Sequence, residues 1–211
     1  MACAICQTRR EKRHCPGVNG EICAICCGEG REETVDCPLD CEYLQLAHQH
    51  ESLAKDPEGM PYTDVSIPEG FIDKNYKLLL LFQIPILQAA IENKAFDSDV
   101  REALASLIQT YKTLGSGLYY ESRPANPIAA AIVDGVQGRV AEIRKVEDER
   151  GLHKLQDNHI LLLLVFLSQL AYALDNGRKK GRSFLANMAH MMDDAVANSP
   201  ANPEDSSLII S

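Results

Sequence analysis

Eight cysteines carry most of the chemical potential of this sequence, and all of them fall between Cys3 and Cys41. Their spacing is Cys3-x-x-Cys6, Cys15, Cys23-x-x-Cys26-Cys27 and Cys37-x-x-x-Cys41, and the 170 residues that follow contain none. Two Cys-x-x-Cys steps in one short segment are the spacing of a structural metal site. Zinc takes four thiolate or imidazole ligands in a tetrahedron, so eight cysteines make two sets and two zinc ions are expected. Side chains diverge from neighbouring Cα atoms, so Cys26 and Cys27 should serve different ions. The preferred partition gives Cys3, Cys6, Cys23 and Cys26 to one ion and Cys15, Cys27, Cys37 and Cys41 to the other. A rival partition joins Cys23 and Cys26 to Cys37 and Cys41, pairing a knuckle with ligands on the first turn of a helix. His14, His48 and His50 are substitutes should a cysteine be left free. An iron–sulfur cluster needs the same thiolates and is the chemical rival, although the run of three cysteines seen in bacterial ferredoxins is absent.

The compartment follows from the first ten residues, MACAICQTRR, which hold no apolar run before a cleavage site. Without export the thiols stay reduced, so metal ligation is expected over disulfides and the location is expected to be cytoplasmic. Residues 1–41 can bury little beyond Ile5, Val18, Ile22, Ile25, Val35 and Leu39. That is too little to offset the chain entropy of so short a segment. Structural zinc supplies on the order of 10–16 kcal/mol in comparable peptides, so the metal is expected to act as the core.

The cysteine region resembles the two-zinc interaction fingers of the MYND and HIT families. These begin with a Cys-x-x-Cys knuckle and finish with Cys-x-x-x-Cys, a helix and a histidine. The matching residues here are Cys3 and Cys6, then Cys37, Cys41 and His48. Ser52 stands where those families place a last cysteine, and Cys15 and the Cys26-Cys27 doublet depart from their pattern. The resemblance covers residues 3–50 and implies a treble-clef-like finger that binds protein partners rather than one that catalyses.

The elements that must position these thiols are read as a mainly α chain: a small N-terminal cysteine-rich metal-binding module followed by an α-helical bundle of four to five helices. The expected organisation is a zinc-binding module with a trailing helix over residues 1–55, a linker over 56–70, the bundle over 71–198 and a flexible tail over 199–211. The first bundle helix runs from about Asp73 to Ala95, with Pro85 expected to kink or break it. The second has Asp97 or Ser98 as its cap. Its seam of Val100, Leu104, Leu107, Tyr111, Leu114 and Leu118 suits helix-on-helix packing or a dimer interface. Asn126-Pro127 starts a third helix, with Val133, Val136, Val140 and Ile143 inward and Gly151 at its end. Leu155–Leu174 forms the fourth, ending at Asp175-Asn176-Gly177. Ser183 caps a fifth, with Met188, Met191 and Met192 on its apolar stripe. The apolar run Ile160–Leu174 falls short of the roughly 20 residues that a bilayer needs, so it is read as a buried helix and no membrane role is expected.

Composition narrows the function. A net charge of −9 opposes any global attraction to nucleic acid or anionic lipid. Arg9-Arg10-Glu11-Lys12-Arg13-His14 could meet phosphates, but is read first as a solvated loop between ligands. Arg178-Lys179-Lys180-Gly181-Arg182 follows a helix C-terminus, where cations offset the dipole. Glu149, His153 and Asp157 share one helical face only if no break occurs at Gly151, and His190 with Asp193 or Asp194 is an equally thin metal signal. Phosphate loops, nucleophile elbows and His-Glu-x-x-His are absent, so no enzymatic activity is expected. The reading is a zinc-binding protein–protein interaction or regulatory protein with a helical scaffold, its partner another protein or a second copy of itself. A nucleic-acid-associated transcriptional regulator using the basic loop is the alternative, and a thiol or metal redox sensor the further one. Leu208-Ile209-Ile210 is read as a segment that could pair with a partner's edge or groove.

Overall fold

The computed structural model describes residues 2–51, 57–117, 120–152 and 154–197. The chain opens on a three-residue hairpin, β1 (Arg13–Cys15) against β2 (Gly20–Ile22), antiparallel with His14 opposite Glu21. Strands this short carry no alternation that the sequence could announce. The hairpin turn holds Gly17 tightly: a Cβ there would lie 2.5 Å from the Asp36 carbonyl oxygen. Two short helices follow, α1 (Ala24–Gly30) and α2 (Glu42–His50). The remainder is helical: α3 (Phe71–Lys74), α4 (Tyr76–Glu92), α5 (Asp97–Gly115), α6 (Pro127–Arg150), α7 (Asp157–Ala173) and α8 (Ser183–Ala197). The mainly α architecture behind a cysteine module is therefore as expected.

The bundle core is built from Leu79, Phe82 and Ile86 of α4, Leu104 and Leu107 of α5, Ile132 and Val136 of α6, Ile160 and Leu163 of α7, and Phe184 and Met188 of α8. Pro85 does not end α4. It is buried within the helix and faces Gly135 of α6, where a Cβ would sit 3.4 Å from the proline ring. The lack of a side chain at Gly135 lets the two helices close over the proline. The α5 seam is buried inside the chain, where Val100, Leu104 and Leu107 are fully covered and α5 packs on α6 and α7. Those residues are not free for a dimer interface, which corrects that expectation; Leu118 lies outside the described residues. Met188 is fully buried, and Met191 and Met192 pack against the same core.

Several boundaries follow the expected chemistry. Ile128 N–H donates to the Asn126 side chain at 2.9 Å, and Gly151 ends α6 in the left-handed region at φ 64°. That break separates Glu149 from Asp157, which pairs with Arg144 instead; His153 lies outside the described residues. The Leu208–Ile210 segment does as well. Residues of the 57–70 stretch lie on the bundle: the Pro61 carbonyl accepts from Gln169 at 3.2 Å, and Asp64 pairs with Lys112 at 2.7 Å.

Two caps differ from expectation. Asp97 does not cap its own helix, and Ser183 does not cap α8. The buried Asp97 carboxylate instead accepts from the backbone N–H groups of Phe184 (2.9 Å) and Leu185 (3.1 Å), at the start of α8. A carboxylate offers two acceptors to the orphan donors of that turn, whereas a hydroxyl offers less. Burial pushes the Asp97 carboxyl up to about 7, against the pull of those two N–H donors. Its folded value lies above the ordinary 3.9, so its contribution to stability is full below about pH 4 and is lost as pH rises toward 7. Asp97→Asn should flatten that limb of a melting-temperature profile relative to the parent chain. A parallel slope in both proteins would refute the assignment. Asp97→Ala, which strands both N–H groups, should cost about 1–3 kcal/mol by denaturant titration.

Candidate metal centre

The two knuckles are identical tetrapeptides, Cys3-Ala4-Ile5-Cys6 and Cys23-Ala24-Ile25-Cys26. The fold brings them face to face, because Ala4 N–H donates to the Glu21 carbonyl at 2.8 Å and so lays the first knuckle along the hairpin. All four sulfurs lie within 4.8 Å of one another, with Cys3, Cys23 and Cys26 buried. A tetrahedron of thiolates at the 2.3 Å bond length of zinc has sulfurs about 3.8 Å apart, so the set fits such an ion with little movement. The structure therefore selects the first partition for this quartet and sets aside the rival that joined Cys23 and Cys26 to Cys37 and Cys41.

Backbone donors are aimed at the sulfurs. Cys23 N–H approaches Cys3 Sγ at 3.3 Å, and Cys26 N–H approaches Cys23 Sγ at 3.4 Å. Such donors favour thiolate over thiol. Burial raises the Cys3 thiol, but the N–H groups of Cys6, Cys23 and Ile5 outweigh it and the net direction is down. The Thr8 hydroxyl, with the Thr8 and Arg9 N–H groups, pulls Cys6 down to about 5. Burial pushes Cys26 up to about 12, helped by its sulfur neighbours. Without a counter-ion one thiol of the quartet must retain its proton, which is the condition a bound cation relieves. The Arg9 guanidinium is raised by Cys23 first, with Cys6 and Cys26 adding their charge, which places this basic residue beside the sulfurs.

Cys15, Cys27, Cys37 and Cys41 pack into the same buried cluster, together with Ile22, Val35 and Leu44. Cys37 is raised by burial first, against the Glu32 N–H, with Cys15 and Cys41 near enough to disfavour its ionised form further. Their sulfurs are not gathered to the 4.8 Å that the first quartet meets. Cys27 faces Arg13, whose Nη1 lies 3.6 Å from its Sγ and whose guanidinium stacks 4.2 Å over Tyr43. Of the three histidines, His14 pairs with Glu21 across the hairpin at 3.2 Å and His50 is exposed. His48 alone is engaged in the interior, with Nε2 3.0 Å from the Glu32 carboxylate. His190 meets Asp194 at 3.6 Å on the exposed side of α8 and joins no metal-like group among the described residues.

What the sequence reading missed is Glu32. It is wholly buried, holds a left-handed φ of 52°, and joins the finger to the bundle. Its carboxylate accepts from His48, from Asn176 at 2.8 Å and from the Arg182 N–H at 2.6 Å, while its carbonyl accepts from Lys180 at 2.7 Å. Arg182, also buried, donates to the carbonyls of Cys37 (2.6 Å), Ala95 (3.0 Å) and Lys94 (3.1 Å) and pairs with Asp36. Arg178 reaches the Arg31 carbonyl at 2.7 Å. The 178–182 basic run is thus a clasp on the finger rather than a counter-charge to the α7 dipole. No local signal in sequence marks one glutamate among eight acidic residues in the first fifty as buried. No protein-family model, curated protein or solved structure matches this chain.

Proposed function

We propose that this chain is a non-enzymatic, zinc-held interaction protein whose finger is presented to a protein partner on a rigid helical scaffold. The observation that carries the reading is what the finger leaves outside. Ile5 and Ile25, the matching positions of the two knuckles, are 43% and 48% exposed although the segment has few apolar residues to spare. Metal ligation frees these side chains from core duty, and a pair of exposed isoleucines beside a buried ionic knot suits an apolar anchor on another protein. Arg10 is exposed in the same segment, so the complementary surface is read as apolar with acidic neighbours. Four thiols close a tetrahedron with no position left for substrate, which supports a structural metal over a catalytic one. In this reading the first ion is zinc on Cys3, Cys6, Cys23 and Cys26, and a second is held by Cys15, Cys27, Cys37 and Cys41.

The double variant Ile5→Ser/Ile25→Ser tests it. Each side chain removed from an apolar contact forfeits about 1.5–3 kcal/mol, so partner affinity should fall at least about a hundredfold. Metal content and melting temperature should not change, because neither residue is in the core. Equal capture of the same partner by parent and variant would exclude the knuckle tips as the docking surface.

A further inference from the structure

Helix α4 packs its inner side on α6 and α8, with Leu79, Phe82 and Ile86 in the core. Its outer side is apolar as well. Leu81 is 38% exposed and Ile91 63%, and Ile84 is half-buried between them. Lys77, Leu81, Ile84, Gln88 and Ile91 follow one another at steps of four, three, four and three. Those steps hold all five on one stripe of a helix, the spacing of a seam between two helices. A helix that is apolar all round belongs inside an assembly, yet the described residues leave Leu81 and Ile91 open.

Charge states what covers the stripe. An exposed Lys77 stands at one end and an exposed Glu92 at the other. Ile84 lies seven positions after Lys77 and eight before Glu92, so it marks the middle. A second copy laid antiparallel, with its two-fold axis beside Ile84, brings Lys77 of each copy level with Glu92 of the other to within about one residue rise. Ile84 then meets its own counterpart, and the Lys77 stem lies along Ile91 of the other copy. A parallel copy would set lysine against lysine and glutamate against glutamate. At the C-terminal end Ile91 also lines a cleft of about 490 Å³ with Pro38 and Leu39 of the finger, which carries the apolar surface past the helix.

We propose that the outer face of α4 is a self-association surface, on which two copies of this chain pair antiparallel through Leu81, Ile84 and Ile91 while Lys77 and Glu92 set the orientation. The inference goes beyond the docking role of the knuckle tips and uses the bundle instead of the finger. The stripe is small, so a Kd on the order of 10–100 µM is expected.

Sedimentation velocity of the full metal-loaded chain, from well below to well above that range, tests it. The parent should pass from monomer to dimer. Leu81→Ser/Ile91→Ser should weaken the dimer at least about tenfold. Lys77→Glu and Glu92→Lys should each weaken it about tenfold, because each sets like charges together at both ends of the seam, and the double exchange should restore it. All four positions are exposed, so metal content and circular dichroism should stay as in the parent. A chain that remains monomeric throughout overturns the proposal. So does a dimer that Leu81→Ser/Ile91→Ser leaves as tight as the parent, or a double exchange no tighter than the single ones. A dimer lost only in Ile5→Ser/Ile25→Ser would move self-association to the knuckles and overturn it too. Partner capture by the α4 variants reads the knuckle tips alone, so failure here is separable from failure of the docking reading.

Discussion

Cys3→Ser or Cys23→Ser is expected to dissolve the order of residues 2–41 while α4–α7 stay helical. The finger has no apolar core to fall back on: its buried cluster is largely cysteine, with Ile22, Val35 and Leu44 as the other large side chains. Removing one of four convergent sulfurs leaves three, and the chelate that replaces a hydrophobic core is lost. Amide dispersion of the finger should collapse in a heteronuclear spectrum, and metal bound per chain should fall. The parent treated with a strong chelator should give the same spectrum. Acid should do so too, and in the direction set by the thiols. Cys26 is raised to about 12 and must release its proton to ligate, so affinity should climb with pH and binding should expel protons into the buffer. Native finger dispersion in either cysteine variant, or metal binding without proton release, would remove the metal from its structural role.

Arg182→Met is the second large effect, expected at about 3–5 kcal/mol, with Glu32→Gln close behind. Arg182 sits over the Phe96 ring at 4.6 Å and satisfies three backbone carbonyls, those of Ala95 and Cys37 in buried bonds. Losing it strands those acceptors and leaves Asp36 without its cation. Glu32→Gln keeps the shape but removes the charge that His48, Asn176 and the Arg182 N–H all address. The two residues share one network, so their costs should not add in a double-mutant cycle. Burial raises the Glu32 carboxyl, but His48, Arg182 and Asn176 outweigh it and hold it below the ordinary range. Its stabilisation is therefore present above about pH 4.3 and fades as pH falls, opposite in sign to Asp97. Denaturant titration of the four proteins reads the cycle. Additive costs below 1 kcal/mol each would mean that the finger and bundle are joined elsewhere.

Both predictions turn on the same arrangement. Glu32 and Arg182 tie the cysteine module to the start of α8, which Asp97 caps. Loss of metal should therefore loosen α8 more than α7, a difference that amide exchange can follow.

The sequence by itself determined the classes of structure. Clustered thiols in a segment poor in apolar area mark a separate cysteine module suited to a metal, and helical periodicity with Asn126-Pro127 and Gly151 as punctuation dictates the long helices behind it. Spacing left two partitions of the cysteines open, and the hairpin that lays one knuckle on the other is what gathers Cys3, Cys6, Cys23 and Cys26. Only the tertiary structure decided how the two parts meet. A buried glutamate, an arginine spending its donors on distant carbonyls and an aspartate capping another helix depend on contacts across some ninety to one hundred and fifty positions of chain. Local spacing carries no trace of such pairs, because the energy that selects them is the cost of leaving buried polar groups unmatched, and burial exists only after folding.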